Sequence, residues 1–306
     1  MRTAGFVVLL LVVAAAVFGA ARLVDNPYAF FAGYVVLQYI VLATAWNILG
    51  GYTGYVNFGT AAFFALGAYS TVALHKLTAL PLPAMMLAGG IVSGAVGLGT
   101  GYFTLRLRGT YFSIATLAMA VVVQTLITNW SFVGGSRGAY VVRPAEVMGL
   151  DYVQYLFLLM LLLAVAAVTI ARTIERSRLG TGFAAIRDDE VAAEANGVPT
   201  LRLKLVATAL SGGLMGMAGA PLPYYVTYLD PASGFSLSYA VNTIAMPLIG
   251  GTASWIGPVI GAVLLGTLQQ VATVTISSAL SLLIVGLLLV GFVVAAPRGI
   301  IGWFGK

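Results

Sequence analysis

Two stretches of this sequence place amides and hydroxyls beside glycine pairs within otherwise hydrophobic segments. The first glycine stretch, residues 48–59, is ILGGYTGYVNFG and leads into TAAFFALGAY. The second glycine stretch, residues 248–257, is LIGGTASWIG and leads into PVIGAVLLG. Each contains an aliphatic pair, Gly-Gly, a short polar and aromatic run and another glycine, followed by a helix of small residues. They lie in opposite halves of the chain and predict a weak internal repeat.

Such glycine pairs can interrupt a membrane helix and free backbone groups for solute binding. Glycine permits unwinding, and unwound backbone at membrane depth survives only beside protein or water. The N–H groups at the start of the next helix can then face a carboxylate. Paired interruptions of this kind indicate a transporter built from repeats. The alternative is close helix packing through small residues, which we expect for residues 67–71 and 94–101.

Nine polar side chains beside the interruptions are candidates to line a solute pathway. They are Asn47, Tyr52, Thr53, Asn57, Thr60, Asn242, Thr243, Thr252 and Ser254. Buried amides and hydroxyls in lipid need hydrogen-bond partners. A neighbouring helix can supply such a partner as well as a solute can, so the pathway and packing interpretations stay open at each position.

The composition indicates that the helices carrying these side chains lie in lipid. Hydrophobic residues make up 60% of the 306 residues and charged residues only 8%, and the mean hydropathy is +1.02. A soluble domain carries about 25% charged residues. About ten hydrophobic segments, without an alternation of period two, favour spanning helices over a barrel. They are residues 4–24, 28–50, 56–75, 84–105, 110–129, 152–171, 205–228, 238–250, 257–275 and 278–296.

These segments predict an all-α membrane protein. We expect a polytopic helical bundle that forms a single permease domain over residues 1–306, with some helices broken by glycine and a two-fold internal repeat. The segment 238–250 is too short to span by itself, and the segments 56–75 and 257–275 are interrupted by glycine. Residues 4–24 also have the length of a signal peptide, but we expect them to remain as the first helix.

The lysines and arginines predict that both termini are cytoplasmic. When the ten segments alternate across the membrane, eleven of the 15 basic residues fall on the side of the termini and four on the other. Cytoplasmic loops carry such an excess of positive charge. The net charge of +6 is scattered between apolar runs, so it indicates membrane topology rather than a nucleic-acid partner.

The sequence lacks the residues that several kinds of chemistry require. None of the nine Asp and Glu residues falls inside a predicted span. Proton- and ion-coupled transporters commonly carry such carboxylates, although Na⁺ coupling through carbonyl groups stays open. The chain has no GxxxxGK[ST] phosphate loop, so ATP would have to be hydrolysed by separate subunits. It also lacks cysteine and metal-ligand spacing, and we therefore expect no enzyme activity, metal or bound cofactor.

One long polar part, the charged segment, covers residues 172–204 and has the sequence RTIERSRLGTGFAAIRDDEVAAEANGVPTLRLK. Its pattern predicts a helix over residues 181–196, ended by Gly197 and Pro199. We expect its charged side chains to face solvent or a partner; these are Arg187, Asp188, Asp189, Glu190 and Glu194. A plain connector needs only a few residues. The length of the segment therefore favours docking to another subunit over a solvated link.

Together these motifs resemble the permease subunits of the branched-chain amino acid ABC importer family. The matching stretches are residues 46–69, 108–120, 177–198 and 250–266, which span most of residues 40–270. The most specific match lies in the charged segment and includes AAIRDDE. The resemblance implies a cytoplasmic loop that couples to the ATPases through Gly180, Arg187, Asp188, Asp189, Glu190, Ala192, Ala193 and Gly197. Family members often have His where this chain has Thr60, which leaves the solute open.

The resemblance also implies the rest of an assembly in the bacterial inner membrane. Its expected partners are a second homologous permease, two ATP-binding subunits that hold ATP and Mg, and a periplasmic substrate-binding protein. The expected function is import of branched-chain or similar small neutral amino acids. Related permeases carry urea, short amides or aromatic acids, and these solutes remain alternatives. A stand-alone secondary transporter and a membrane scaffold or channel are the competing classes.

Overall fold

Helices account for most of the chain, as apolar runs of about 20 residues require in lipid. The computed structural model describes residues 3–23, 26, 28–104, 106–107, 109–275, 283, 286–287, 290–291 and 299–304. The long helices are α1 (Thr3–Leu23), α2 (Tyr28–Leu49), α3 (Thr60–Leu77), α4 (Leu82–Thr104), α5 (Thr110–Asn129), α6 (Tyr152–Glu175), α9 (Thr200–Gly219) and α13 (Ile256–Thr275). The shorter ones are α7 (Arg178–Asp188), α8 (Glu190–Ala195), α10 (Leu222–Val226), α11 (Pro231–Gly234), α12 (Leu237–Gly250) and a last helix, Ile301–Phe304.

Seven helices within the described ranges are long and apolar enough to cross a membrane. They are α1, α2, α4, α5, α6, α13 and the continuous span made by α9 and α10. This confirms the predicted all-α, multi-pass class. Segment 238–250 corresponds to α12, whose 14 residues are too few to span, as predicted. Segments 56–75 and 257–275 become the unbroken helices α3, which starts only at Thr60, and α13, so the predicted glycine interruption inside each of them is wrong. Segment 278–296 lies largely outside the described residues.

The chain divides into two compact units. The three-segment unit consists of Met1–Thr44, Pro144–Arg176 and Ile244–Lys306. The two-segment unit consists of Ala45–Arg143 and Ser177–Thr243. The first glycine stretch belongs to the two-segment unit, and the second glycine stretch belongs to the three-segment unit. The single permease domain and the internal repeat stay predictions.

Aromatic side chains hold α1, α2 and α6 together in the three-segment unit. The rings of Phe18, Phe30 and Phe157 contact one another with centroids 5.5 to 6.3 Å apart. The guanidinium of Arg172 on α6 lies 3.7 Å from the ring centroid of Phe6 on α1, which is a cation–π contact. Because lipid is as apolar as these helices, such specific packing contacts are what join them.

Glycine allows α3, α4 and α9 to approach closely in the two-segment unit. A Cβ built at Gly67 would lie 1.9 Å from the carbonyl oxygen of Gly216, and one at Gly219 would lie 1.9 Å from that of Phe64. At Gly94 the carbonyl oxygen of Ala209 would lie 3.3 Å away. These glycines therefore serve helix packing, as the packing interpretation of residues 67–71 and 94–101 predicts.

Short strands occur only where the described chain connects its long helices. β1 (Ala139–Tyr140) pairs antiparallel with β4 (Tyr228–Leu229), and β2 (Glu146–Val147) pairs antiparallel with β3 (Leu150–Asp151). Two 3₁₀ helices, Ser131–Val133 and Gly135–Arg137, precede β1. After β4, Asp230 caps α11, and the hydroxyl of Ser233 donates to its carboxylate and holds the pKa of Asp230 below its ordinary value.

The charged segment contains two helices rather than the predicted single helix over residues 181–196. The break falls at Asp189, whose backbone is extended with φ −159° and ψ 106°. Its carboxylate accepts hydrogen bonds from the backbone N–H groups of Val191 (2.9 Å) and Ala192 (3.0 Å), so it starts a new helix instead of continuing the old one. Gly197, with φ +81°, ends α8 where predicted.

Candidate functional site

The first glycine stretch is a nonhelical connection between α2 and α3 that is organised by Asn57. The indole Nε1 of Trp46 donates to the carbonyl oxygen of Asn57 at 2.9 Å. The backbone N–H of Gly59 donates to the side-chain oxygen of Asn57 at 2.7 Å. The hydroxyl of Thr53 donates to the carbonyl oxygen of Leu49 at 2.6 Å. The predicted break at the Gly-Gly pair is therefore present, and it is held by the polar candidates Thr53 and Asn57 together with Trp46, which was not a candidate.

Two of the predicted pathway residues flank this stretch and are buried without a hydrogen-bond partner among the described residues. Asn47 and Thr60 are each 1% exposed. Within the described ranges, neither the side-chain nitrogen nor the oxygen of Asn47, nor the hydroxyl of Thr60, has a hydrogen-bond partner. A buried polar group without a partner costs about 1–3 kcal/mol. Thr60 is also the first residue of α3, and in that first turn the backbone N–H groups of Ala62 and Phe63 donate to the carbonyl oxygen of Gly59.

The other candidates in the two-segment unit are also buried. Tyr52, Asn242 and Thr243 are all less than a tenth exposed, the last two on α12. Four buried hydroxyls without a hydrogen-bond partner in the described part of the chain were not singled out from the sequence: Tyr69, Thr71 and Ser211 in this unit, and Thr44 in the three-segment unit. A hydroxyl in the middle of an apolar helix was the signal available for them. That signal is weak, because threonine and serine hydroxyls commonly bond to the carbonyl oxygen four residues earlier.

The second glycine stretch is a short turn in which glycines let backbones touch. A Cβ at Gly257 would lie 1.7 Å from the carbonyl oxygen of Gly251, and one at Gly261 would lie 1.9 Å from that of Met246. The carboxylate of Glu175 accepts the backbone N–H of Trp255 at 2.7 Å, just before α13 begins. The hydroxyl of Ser254 accepts the N–H of Ile256 at 3.2 Å. Ser254 is thus a helix-capping residue here, and Thr252 is half-buried.

Most of the predicted coupling residues in the charged segment are exposed. The exposed ones are Arg187, Asp188, Asp189, Ala192 and Gly197, while Gly180 is half-buried and Ala193 is buried. The apolar side chains Phe183 and Ile186 are buried, so α7 has one packed face and one free face. On the free face the guanidinium of Arg187 lies 3.3 Å from the carboxylate of Asp188, and their side chains are 39% and 71% exposed.

Glu190 is the exception, because its side chain turns into the protein instead of facing solvent or a partner, as was predicted for the charged set. Its side chain is 12% exposed and forms an ion pair with Lys204, whose ammonium lies 2.8 Å from one carboxylate oxygen. The other carboxylate oxygen accepts a hydrogen bond from the hydroxyl of Tyr55 in the first glycine stretch. The reason is the break at Asp189, which turns the following residue towards α9. Tyr55 and Lys204 were missed, since nothing local marks a pairing across more than 130 residues of sequence.

No metal site is found in the part of the chain that the structure describes, where no three His, Asp or Glu side chains come together. The histidine at position 75 instead contacts the hydroxyl of Tyr224 through Nδ1 at 2.9 Å.

This combination of apolar spanning helices, glycine-interrupted helix pairs and a charged connecting segment defines a multi-pass helical membrane permease. The sequence profile described as "Branched-chain amino acid transport system / permease component" matches residues 28–293. The chain belongs to this family of permease components.

Individual relatives agree with this placement. The chain is 27% identical over 293 residues to the high-affinity branched-chain amino acid transport system permease protein LivM of Salmonella typhimurium, covering 87% of this chain and 68% of LivM. It is 23% identical over 267 residues to the probable branched-chain amino acid transport permease protein LivH of Methanocaldococcus jannaschii, covering 82% and 84%. It is 26% identical over 224 residues to the L-arabinose ABC transporter permease protein AraH of Azospirillum brasilense, covering 71% and 64%.

Proposed function

We propose that this chain is one of two membrane-spanning subunits of an ATP-driven importer for branched-chain or similar small neutral amino acids. The carrying observation is the charged segment, which presents Asp188 and Glu194 on two capped helices. The same segment contains a groove of about 540 Å³ that is lined by α7, residues 196–199 and Leu203. Helices and grooves of this size are what subunits use to engage one another. The names of the relatives support the same role.

The remaining parts of the proposed assembly are separate proteins. Two ATP-binding subunits, carrying ATP and Mg, engage the charged segment from the cytoplasm. A second homologous permease completes the pathway, and a periplasmic binding protein delivers the solute. The chain lies in the bacterial inner membrane with both termini in the cytoplasm, a topology supported by its eleven-to-four distribution of basic residues.

The solute pathway passes the first glycine stretch in this proposal. Donors without partners at Asn47 and Thr60, together with the positive end of α3, suit the carboxylate of a zwitterionic amino acid. The similarity to an arabinose permease supports a sugar as the second candidate solute. Sugar hydroxyls would bond to the same amide and hydroxyl groups. Urea, short amides and aromatic acids are further solutes for the same test.

Purification of the tagged chain with its genomic neighbours tests the assembly. We expect two ATP-binding subunits and a second permease to co-purify. In proteoliposomes with ATP and the binding protein, we expect labelled leucine to enter and to compete with isoleucine and valine, but not with arabinose. Uptake by the chain alone under an ion gradient, without nucleotide, would overturn the proposal in favour of a secondary transporter.

A charge reversal tests the docking surface. The double variant Asp188→Lys, Glu194→Lys changes exposed side chains only, so it should fold normally. We expect solute-stimulated ATP hydrolysis to fall by about tenfold, because like charges then face the ATPases. Glu146→Lys, on exposed strand β2, is the matched control and should leave the stimulation unchanged. Glu190 is unsuitable for this test, since its reversal would place two cations in one buried site.

A further inference from the structure

We infer that Tyr55, Glu190 and Lys204 form a positioning cluster that transmits movement of the charged segment to the first glycine stretch. The inference rests on the proposed function, since it concerns how ATPases docked on that segment would act on the pathway. It assigns roles to Tyr55 and Lys204, which lie outside the predicted pathway and coupling residues. It also assigns Glu190 to a buried cluster instead of to the docking surface.

The three side chains contact one another. The Lys204 ammonium lies 2.8 Å from one oxygen of the Glu190 carboxylate and 3.1 Å from the Tyr55 hydroxyl. The Tyr55 hydroxyl donates to the other Glu190 oxygen. The same ammonium lies 4.7 Å from the centroid of the Tyr55 ring, a cation–π distance. One residue from the first glycine stretch, one from α8 and one from α9 are therefore joined at a single point.

The burial of this cluster makes it a firm attachment. The side chains of Lys204 and Glu190 are only 4% and 12% exposed. Separating two buried charges leaves each without compensation, which costs far more than separating an exposed pair. The exposed Arg187–Asp188 pair offers the contrast, because water can replace either partner. A displacement of α8 therefore carries Tyr55 with it instead of breaking the contact.

A second contact supports the same connection. Gly54 has φ +78°, and a Cβ placed there would lie 3.2 Å from the Cγ of Arg187 on α7. The charged segment thus touches the first glycine stretch at two consecutive positions, through α7 at Gly54 and through α8 at Tyr55. Glycine is required at position 54 both for its backbone conformation and for this approach.

The cluster is close in sequence to the polar groups of the proposed pathway. Tyr55 precedes Asn57 by two residues, and Asn57 bonds to both Trp46 and Gly59. Those bonds reach the residues adjoining Asn47 and Thr60, whose side chains have no partners. The Tyr55 ring also packs edge-on against Phe112 of α5 at 5.0 Å. A movement of Tyr55 therefore changes the surroundings of the groups that would contact solute.

Removing the Tyr55 hydroxyl tests the inference without disturbing the ring or the ion pair. Tyr55→Phe and the control Tyr224→Phe each delete one hydroxyl from a tyrosine that is 7% or 6% exposed. The control hydroxyl contacts His75, away from the charged segment. The complete importer should be reconstituted with its partners, and uptake per ATP hydrolysed should be measured. We expect Tyr55→Phe to lower this ratio by about tenfold and Tyr224→Phe to leave it unchanged.

The outcomes separate a coupling role from a structural one. If both variants lose thermal stability alike and keep the wild-type uptake per ATP, the cluster is merely structural and the inference fails. If Tyr55→Phe does not assemble, Glu190→Gln combined with Lys204→Met removes both charges together and should show the same loss of uptake per ATP. A normal ratio in that double variant also overturns the inference. Failure of the wild-type chain to assemble with ATPases instead contradicts the proposed function.

Discussion

The two glycine stretches share a sequence pattern but differ in what fills the space around them. In the first, residues 50–59 form a nonhelical connection held by side-chain hydrogen bonds of Trp46, Thr53 and Asn57. In the second, residues 251–255 form a tight turn in which backbone meets backbone at Gly250 and Gly257. Buried polar side chains without a partner accompany the first stretch, at Asn47 and Thr60.

The difference shows that a Gly-Gly pattern specifies a helix interruption but not its use. Both stretches are contacted by a glutamate of the charged segment: Glu190 bonds to Tyr55 in the two-segment unit, and Glu175 bonds to Trp255 in the three-segment unit. The first contact involves a side chain within a buried ion pair, whereas the second satisfies a backbone N–H at a helix start. We therefore propose that the first stretch contacts the solute, whereas the glycines of the second stretch serve helix packing.

The largest expected effect is loss of folding when packing in the second stretch is disturbed. In Gly257→Ala the new Cβ would lie 1.7 Å from the carbonyl oxygen of Gly251, so the backbone must move. We expect destabilisation by more than about 3 kcal/mol and little monodisperse protein in detergent, measured by fluorescence-detected size exclusion. Gly99→Ala is the control, because no heavy atom lies within 4 Å of its added Cβ. Wild-type yield of Gly257→Ala would contradict the packing role.

The next largest effect is a loss of uptake without a loss of stability, expected when a side chain beside the first stretch is changed. Thr60→Val keeps the side-chain volume but deletes a buried hydroxyl that has no partner. We expect the thermal midpoint to stay the same or rise, since the removed group costs about 1 kcal/mol when unpaired. We expect uptake to fall by about tenfold, because the solute loses a hydrogen bond. Unchanged uptake would remove Thr60 from the pathway and weaken the contrast between the stretches.

A smaller effect is expected where Glu175 meets the second stretch. In Glu175→Gln the side-chain oxygen can still accept the Trp255 N–H, but the negative charge at the start of α13 is gone. We expect a loss of about 1 kcal/mol in stability, seen as a lowered thermal midpoint. Uptake per ATP hydrolysed should stay at the wild-type value. A strong loss of that ratio would mean that both stretches, and not only the first, receive movement from the charged segment.

Local patterns in the sequence were sufficient for the seven described spans, the breaks at the two Gly-Gly pairs and the position of the charged segment. Apolar runs, glycine pairs and Lys/Arg distribution are properties of neighbouring residues, so they can be recognised in a single chain. The inward turn of Glu190 could not be predicted, because it depends on Asp189 capping a helix rather than continuing one. Likewise, the burial of Lys204 depends on Tyr55 and Glu190 arriving from distant positions. The packing role of Gly257 depends on which backbone lies opposite.

The smallest effect is expected when a hydroxyl is deleted from the second stretch. This variant tests the difference between the two stretches most directly, because it repeats there the change made at Thr60. Thr252→Val removes a hydroxyl from a half-buried position beside the second Gly-Gly pair. Because partly exposed positions are hydrated, we expect stability to change by less than about 0.5 kcal/mol. Uptake should match the wild-type rate in the same proteoliposome assay as Thr60→Val. A tenfold loss at Thr252 as well as at Thr60 would place both stretches in the pathway and restore the symmetric interpretation that their sequences suggest.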